Sequence, residues 1–173
     1  MKKIYIVLTY SGSLLSKAIR IVKHHEYTHV SIALDKELNE MYSFGRLNPY
    51  NAFIGGFVQE SPNYGTFKRF SKTITKILCF EVSEQQYQEL KKLIKYFHRN
   101  KKEYKFNFIG LCSIALHIKV TKENSFYCAE FIKYLLEKSK INTSLPELVT
   151  PNDFENIPNT TQIYTGYLRN YLS

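Results

Sequence analysis

One cysteine in this 173-residue chain stands where a thiol can do chemistry. Cys128 opens the amphipathic run "FYCAEFIKYLLEK", Phe126 to Lys138. With Ser125 as the candidate N-cap, the thiol falls in the first turn of a helix. There the unpaired backbone N–H groups and the helix dipole favour a thiolate over a thiol. The same N–H groups can hold an oxyanion. The bland alternative is a buried structural cysteine, the commonest fate of a free Cys. Spacing by itself does not choose between the two.

A thiol nucleophile needs an imidazole in hydrogen-bond reach, to take its proton and later to protonate the leaving group. His29 is the candidate. It lies at the start of a strand whose alternation puts His29, Ser31 and Ala33 on one face and Val30, Ile32 and Leu34 on the other. The competing reading is a His that fills a polar gap. The remaining histidines are weaker candidates. His24 and His25 sit at a helix end, where dipole and solvent account for them; His98 ends another helix in a basic run; His117 lies in or beside an apolar helix.

Other chemistries find less support. There is no CxxC pair and the carboxylates are scattered, so no metal is expected. There is no P-loop and no GxGxxG, and no cofactor is expected. "GLCSI" shares with the lipase elbow only a leading Gly and a Ser. Cys79, Cys112 and Cys128 are an odd set, which argues against a disulfide framework and fits a reducing compartment. "MKKIYIVLTYSGS" begins with charge, but its apolar run from Ile4 to Leu8 is too short for a signal peptide, and no A-x-A site follows. No stretch approaches the roughly eighteen apolar residues of a membrane span. A cytoplasmic location is the resulting expectation.

The formal net charge of +9 favours acidic partners, and a basic surface suits an anionic substrate without choosing one. Aromatic-rich strands such as "EMYSFGR" could stack nucleic-acid bases. The lysines are dispersed, however, with no block of five or six, so a nucleic-acid role is not favoured.

These residues must be positioned by a core, and the hydrophobic fraction of 44% with fourteen Tyr and twelve Phe can build one. Lys2 to Tyr10 reads as a buried strand. "SLLSKAIRIVKHH" reads as a helix capped by Ser13. "THVSIAL", the turn "DKELN" and "EMYSFGR" read as a hairpin. Leu47 to Phe70 carries loop signals, with room for a short strand at Phe57 to Glu60. "KTITKILCFEVS" is another strand. The clearest helix starts at Ser83, where Ser83 and Gln86 form a capping box and Tyr87, Leu90, Leu93, Ile94 and Phe97 share one face. "NFIGLCSIALHI" and "SFYCAEFIKYLLEK" read as two further helices, "TPNDF" as a short capped helix, and Gln162 to Tyr167 as a strand. With no repeat or linker, the chain is expected to form one domain over residues 1–173. Strands and helices are segregated, which predicts an α+β fold, a small antiparallel sheet packed against helices.

Taken together, "YTHVSIALD" with a returning strand, "YKFNFIGL" before a helix, the later "FYCAEFI" and a closing "TPNDF" resemble the permuted NlpC/P60 group. These are papain-like cysteine hydrolases of the YiiX/YaeF/YycO type, related to the lecithin–retinol acyltransferases. In that group the His strand precedes the Cys helix, as His29 precedes Cys128 here. The resemblance implies a circularly permuted papain-like fold. It implies attack by Cys128, with His29 as base and acid, on a small-molecule, peptide or lipid-like amide or ester through an acyl-enzyme. A catalytically degraded binding module of the same fold is the alternative. The family usually places a third polar residue on the strand paired with the His strand. Counting back from the hairpin, that position falls near Tyr42 or Ser43, and Tyr42 could hold the ring through its hydroxyl. Glu40 or Glu60 could stand in under a different register.

Overall fold

The computed structural model describes residues 1–13, 16–17, 20, 26–113, 120 and 122–171, with the side chains of 112 and 113 excepted. Most of the helix expected after Ser13 lies outside these residues, as do His24, His25, His117 and the second half of the helix expected over 107–118.

Among the described residues, eight strands and four α-helices follow one another. They are β1 (Lys2–Tyr10), β2 (His29–Ala33), β3 (Met41–Asn48), β4 (Asn51–Glu60), α1 (Gly65–Arg69), β5 (Ile74–Val82), α2 (Glu84–Arg99), β6 (Lys105–Phe106), α3 (Phe108–Ser113), β7 (Ser125–Phe126), α4 (Cys128–Lys138) and β8 (Thr161–Tyr167). Six strands form an antiparallel sheet in the order β4-β3-β2-β1-β5-β8, while β6 and β7 pair in parallel as a separate ladder. The expected mixed architecture, an antiparallel sheet with helices against it, is thus present.

The central strand β1 pairs with both β2 and β5, and its residues from Ile4 to Thr9 are buried. That is why it reads as a continuous apolar run rather than an alternating one. Ile4, Ile6 and Leu8 face one core with Val30, Ile32 and Phe44; Tyr5 and Val7 face a smaller core with Ala33, Met41, Phe67 and Ile77. Helices α2 and α4 cover the larger core. The Ser83 capping box forms as expected, with the Ser83 hydroxyl accepting from the Gln86 N–H and the Gln86 side chain accepting from the Ser83 N–H. Leu90, Ile94 and Phe97 are the buried stripe of α2. In α4, Ala129, Phe131, Ile132, Leu135 and Leu136 are buried, and the helix packs on β2, β3 and α2. Phe131 lies 4.7 Å from Phe44 and 5.0 Å from Phe97, ring centre to ring centre.

Two expectations change. The segment after Leu47 is not a loop with a short strand: β4 runs ten residues and pairs with β3 from Met41↔Glu60 to Asn48↔Asn51. It is a sheet edge, its first half is largely exposed, and it carries two adjacent glycines, so no core-facing alternation marks it. Asn48 and Asn51 side chains accept the N–H groups of Tyr50 and Phe53 and shape the tight turn. Second, Ser125 does not cap the Cys128 helix. It pairs with Lys105 in the β6–β7 ladder, and its hydroxyl donates to the Glu123 carbonyl.

Candidate active site

The N-cap of α4 is Tyr127, extended at φ −94° and ψ 168°, with no side-chain capping bond. Phe126 is tied into β7, and the Tyr127 hydroxyl donates to the Val149 carbonyl at 3.0 Å. The first helical bond runs from the Phe131 N–H to the Tyr127 carbonyl. Cys128 is therefore the first helical residue, and the N–H groups of the opening turn lack helical acceptors. The helix is pinned at both ends of that turn by the ladder and by the core.

His29 opens β2, level with Thr9 of β1, and is partly exposed. Its Nε2 stands 3.1 Å from Glu60 Oε1 and 3.2 Å from Oε2. The ring shares its cleft with the Cys128 side chain, which interacts with it electrostatically. With Nε2 taken by the carboxylate, the remaining ring nitrogen is Nδ1, the one left to serve a thiol. Glu60 is held in turn by the Ser31 hydroxyl, which donates to Oε2 at 2.5 Å. The Ser43 hydroxyl is buried beside the same carboxylate.

The side chains of His29, Ser31, Ser43 and Glu60 converge because antiparallel partners point to the same face. Alternation along β2 puts His29 and Ser31 on the smaller-core face. The Met41↔Glu60 and Ser43↔Val58 pairings put Ser43 and Glu60 there too. Gly45 makes the room. A Cβ at that position would lie 3.1 Å from Ser43 Oγ, 3.2 Å from Glu60 Oε1 and 3.4 Å from His29 Cε1, tighter than ordinary packing. Sequence reasoning missed Gly45, and only its place in an otherwise bulky strand could have signalled it.

The electrostatics are those of a largely buried ion pair. Burial works against the charge on His29, but the Glu60 carboxylate and the neighbouring Cys128 side chain outweigh it, and the imidazole pKa rises from 6.5 to about 10. Burial likewise opposes the charge on Glu60. The His29 charge, with hydrogen bonds from His29 and Ser31 and the nearby Ser43 hydroxyl, wins and lowers its pKa. A cleft of about 80 Å³ opens here, lined by Cys128, His29, Glu60, Phe67 and the hydroxyls of Thr9, Ser11, Ser13 and Thr28.

The structure brings Cys128 and His29 together but not Tyr42. Tyr42 pairs with Ile32 and projects to the opposite face of the pleat, where its ring stacks on Phe57 at 5.9 Å within the larger core. The group against the imidazole is Glu60, from a strand two removed from β2. Glu40 is at the surface, 3.8 Å from Lys91. His98 is exposed, with Phe57 edge-on 6.2 Å away. Cys79 is buried in the smaller core, where burial pushes its thiol pKa up.

The expectation of no metal overlooked one spacing. His25, Glu26 and His29 stand in H-E-x-x-H order. That order holds zinc when a helix carries both histidines on one face, whereas here His29 opens a strand. Among the described residues no group of three or more His, Cys, Asp or Glu is placed to hold a metal ion.

No known family model matches the chain, and no curated protein matches it in sequence. Among solved structures it is similar to the crystal structure of the metalloprotein yiiX from Escherichia coli O157:H7. The TM-score is 0.46 and the identity 16%, over 96% of this chain and 98% of that one.

Proposed function

We propose that this protein is a thiol hydrolase, or an acyl or amide transferase, built on a permuted papain-like (NlpC/P60) fold. Cys128 is the nucleophile, His29 the base and acid, and Glu60 the group that orients the imidazole. One observation carries the reading: an imidazole that lines one cleft with a thiol at a helix start and stands 3.1 Å from a buried carboxylate. Structural cysteines need no such partner.

In this mechanism His29 already holds the proton that Cys128 gives up, so the sulfur of a thiolate–imidazolium pair attacks a substrate carbonyl, and the C=O π pair moves to oxygen. Backbone N–H groups of the opening turn of α4 hold that oxyanion. The intermediate collapses, the bond to nitrogen or oxygen breaks, and the imidazolium protonates the leaving group. Water, or an acceptor amine or alcohol, then adds to the thioester as the now neutral His29 takes its proton, and the Cys128 thiolate leaves beside the regenerated imidazolium. Glu60 keeps the ring oriented and stabilises its charged form, the role of the third member of a triad.

The test is the pH dependence of iodoacetamide labelling, with each cysteine followed by peptide mass in wild type, His29→Ala and Glu60→Gln. Fast labelling of Cys128 at pH 6–7, far ahead of Cys79, and about 10-fold or more slower in either variant, is the expected result. A second reading has its own observation. Cys128 is only 3% exposed, as in a module of the same fold that binds a peptide or lipid headgroup without catalysis. A Cys128 no faster than an ordinary thiol, in all three proteins, would put that reading first.

A further inference from the structure

We propose that the groove leading from the Cys128 cleft past Arg46 to Arg69 is an anion subsite, so that the acyl substrate carries a carboxylate or phosphate group beside the bond attacked. The substrate class named here rests on the cysteine-nucleophile reading. The subsite itself rests on the two arginines.

Arg46 follows Gly45 in β3 and lines two adjoining clefts. One is the Cys128 cleft; the other, about 650 Å³, is lined by Lys68 and Arg69. Glu60, Thr66 and Phe67 border both, so the clefts are continuous. The Arg46 guanidinium is partly buried and donates through Nη2 to Ser13 Oγ at 2.6 Å. Its Cζ lies 5.4 Å from the centre of the Phe70 ring, and Arg69 Cζ lies 5.3 Å from the same ring and 4.2 Å from Tyr50. Two guanidiniums therefore flank one aromatic ring. Arg69 meets a peptide acceptor, its Nη1 donating to the Pro49 carbonyl at 2.6 Å.

Neither arginine has a carboxylate partner among the described residues. Glu60 is the one carboxylate lining either cleft among those residues, and it is engaged by His29 and Ser31. Burial and the like charge of Arg69 both lower the Arg46 pKa, as expected of a cation held without a counter-charge. Two like charges at the mouth of a cleft cost free energy that an incoming anion returns, and planar forks suit a carboxylate or phosphate. The Ser13 hydroxyl against Arg46 is itself 3.2 Å from both Ser11 Oγ and Ser16 Oγ, so further donors line the same wall.

The experiment compares two reagents of similar size on the full chain: anionic iodoacetate and neutral iodoacetamide, each read as the Cys128 labelling rate at pH 7. The ratio of the two rates is measured in wild type, Arg46→Gln, Arg46→Lys and Arg69→Gln. The His29 charge is common to all four and cancels from the comparison. Removing one partly buried cation near the thiol is expected to lower the iodoacetate preference about 5–20-fold, with Arg46→Lys keeping most of it. An unchanged ratio in both Gln variants, with Cys128 still labelling fast, overturns the subsite and leaves the nucleophile standing. Binding of inorganic phosphate by calorimetry, wild type against Arg46→Gln, reads the subsite without using the thiol. A loss of at least about 5-fold in affinity supports it even if Cys128 proves inert, which would instead remove the hydrolase reading. Phosphate binding that is absent, or equal in the two proteins, overturns it. Far-UV circular dichroism checks each fold, and Arg69→Gln carries the test should Arg46→Gln not fold.

Discussion

Replacing Glu60 by Gln keeps the shape of the side chain and removes its charge, and the consequence depends on pH in a way the geometry dictates. In the wild type the His29 pKa is raised from 6.5 to about 10. The stability this contributes is fully present below pH 6.5 and is lost as the pH rises through the folded value. The Glu60 pKa is lowered from 4.5, so the same pair is also lost as the pH falls below 4.5. Between pH 6.5 and 10 the folded protein holds one proton more than the unfolded chain, a slope of about 1.4 kcal/mol per pH unit. The two partners are 3.1 Å apart with side chains 22% and 8% exposed, so solvent screens them little. Removing one partner of such a pair costs on the order of 3–5 kcal/mol. Urea unfolding followed by far-UV circular dichroism, from pH 3.5 to 10, measures the difference between wild type and Glu60→Gln. That difference is expected to peak near pH 5–6.5, fall by more than half by pH 9.5, and shrink again at pH 3.5. A difference that stays flat within about 0.5 kcal/mol across the range would refute the ion pair, because an uncharged hydrogen bond has no reason to titrate.

Three further outcomes follow from the same structure. Tyr42→Phe keeps the stack on Phe57 and removes only a hydroxyl remote from His29, so Cys128 labelling should stay within about 2-fold of wild type while Glu60→Gln loses ten-fold or more. Gly45→Ala pushes a methyl group against Ser43, Glu60 and His29; it should slow Cys128 labelling by several-fold with far-UV dichroism unchanged, read in the same alkylation assay. Phe131→Ala empties the middle of the aromatic cluster and should lower unfolding free energy by about 3–5 kcal/mol, seen as a lower urea midpoint with near-unchanged slope.

The sequence by itself determined the features that depend on neighbours along the chain. The Ser83 and Gln86 pair with the stripe Leu90, Ile94 and Phe97 specifies α2, because capping and helical period act within a few residues. The apolar run of β1 and the alternation of β2 place His29, Ser31 and Ala33 on one face in the same local way. Cys128 at the start of a helix is equally local, although its cap was not, since Ser125 is drawn into a ladder with Lys105. Only the tertiary structure decided what meets the imidazole. Tyr42 and Ser43 are adjacent in sequence, and a pleat sends them to opposite faces, so a one-residue slip in register exchanges an aromatic core residue for a polar wall. Glu60 reaches His29 across β3, at the far end of an edge strand whose exposed first half and paired glycines carry no period to read. The space for that carboxylate is the missing side chain of Gly45, and the neighbour of Arg46 is Arg69, brought there by a turn and a short helix. Register between strands is set by the summed packing of both cores. A single run of residues specifies which face each side chain takes, and not which strand lies opposite.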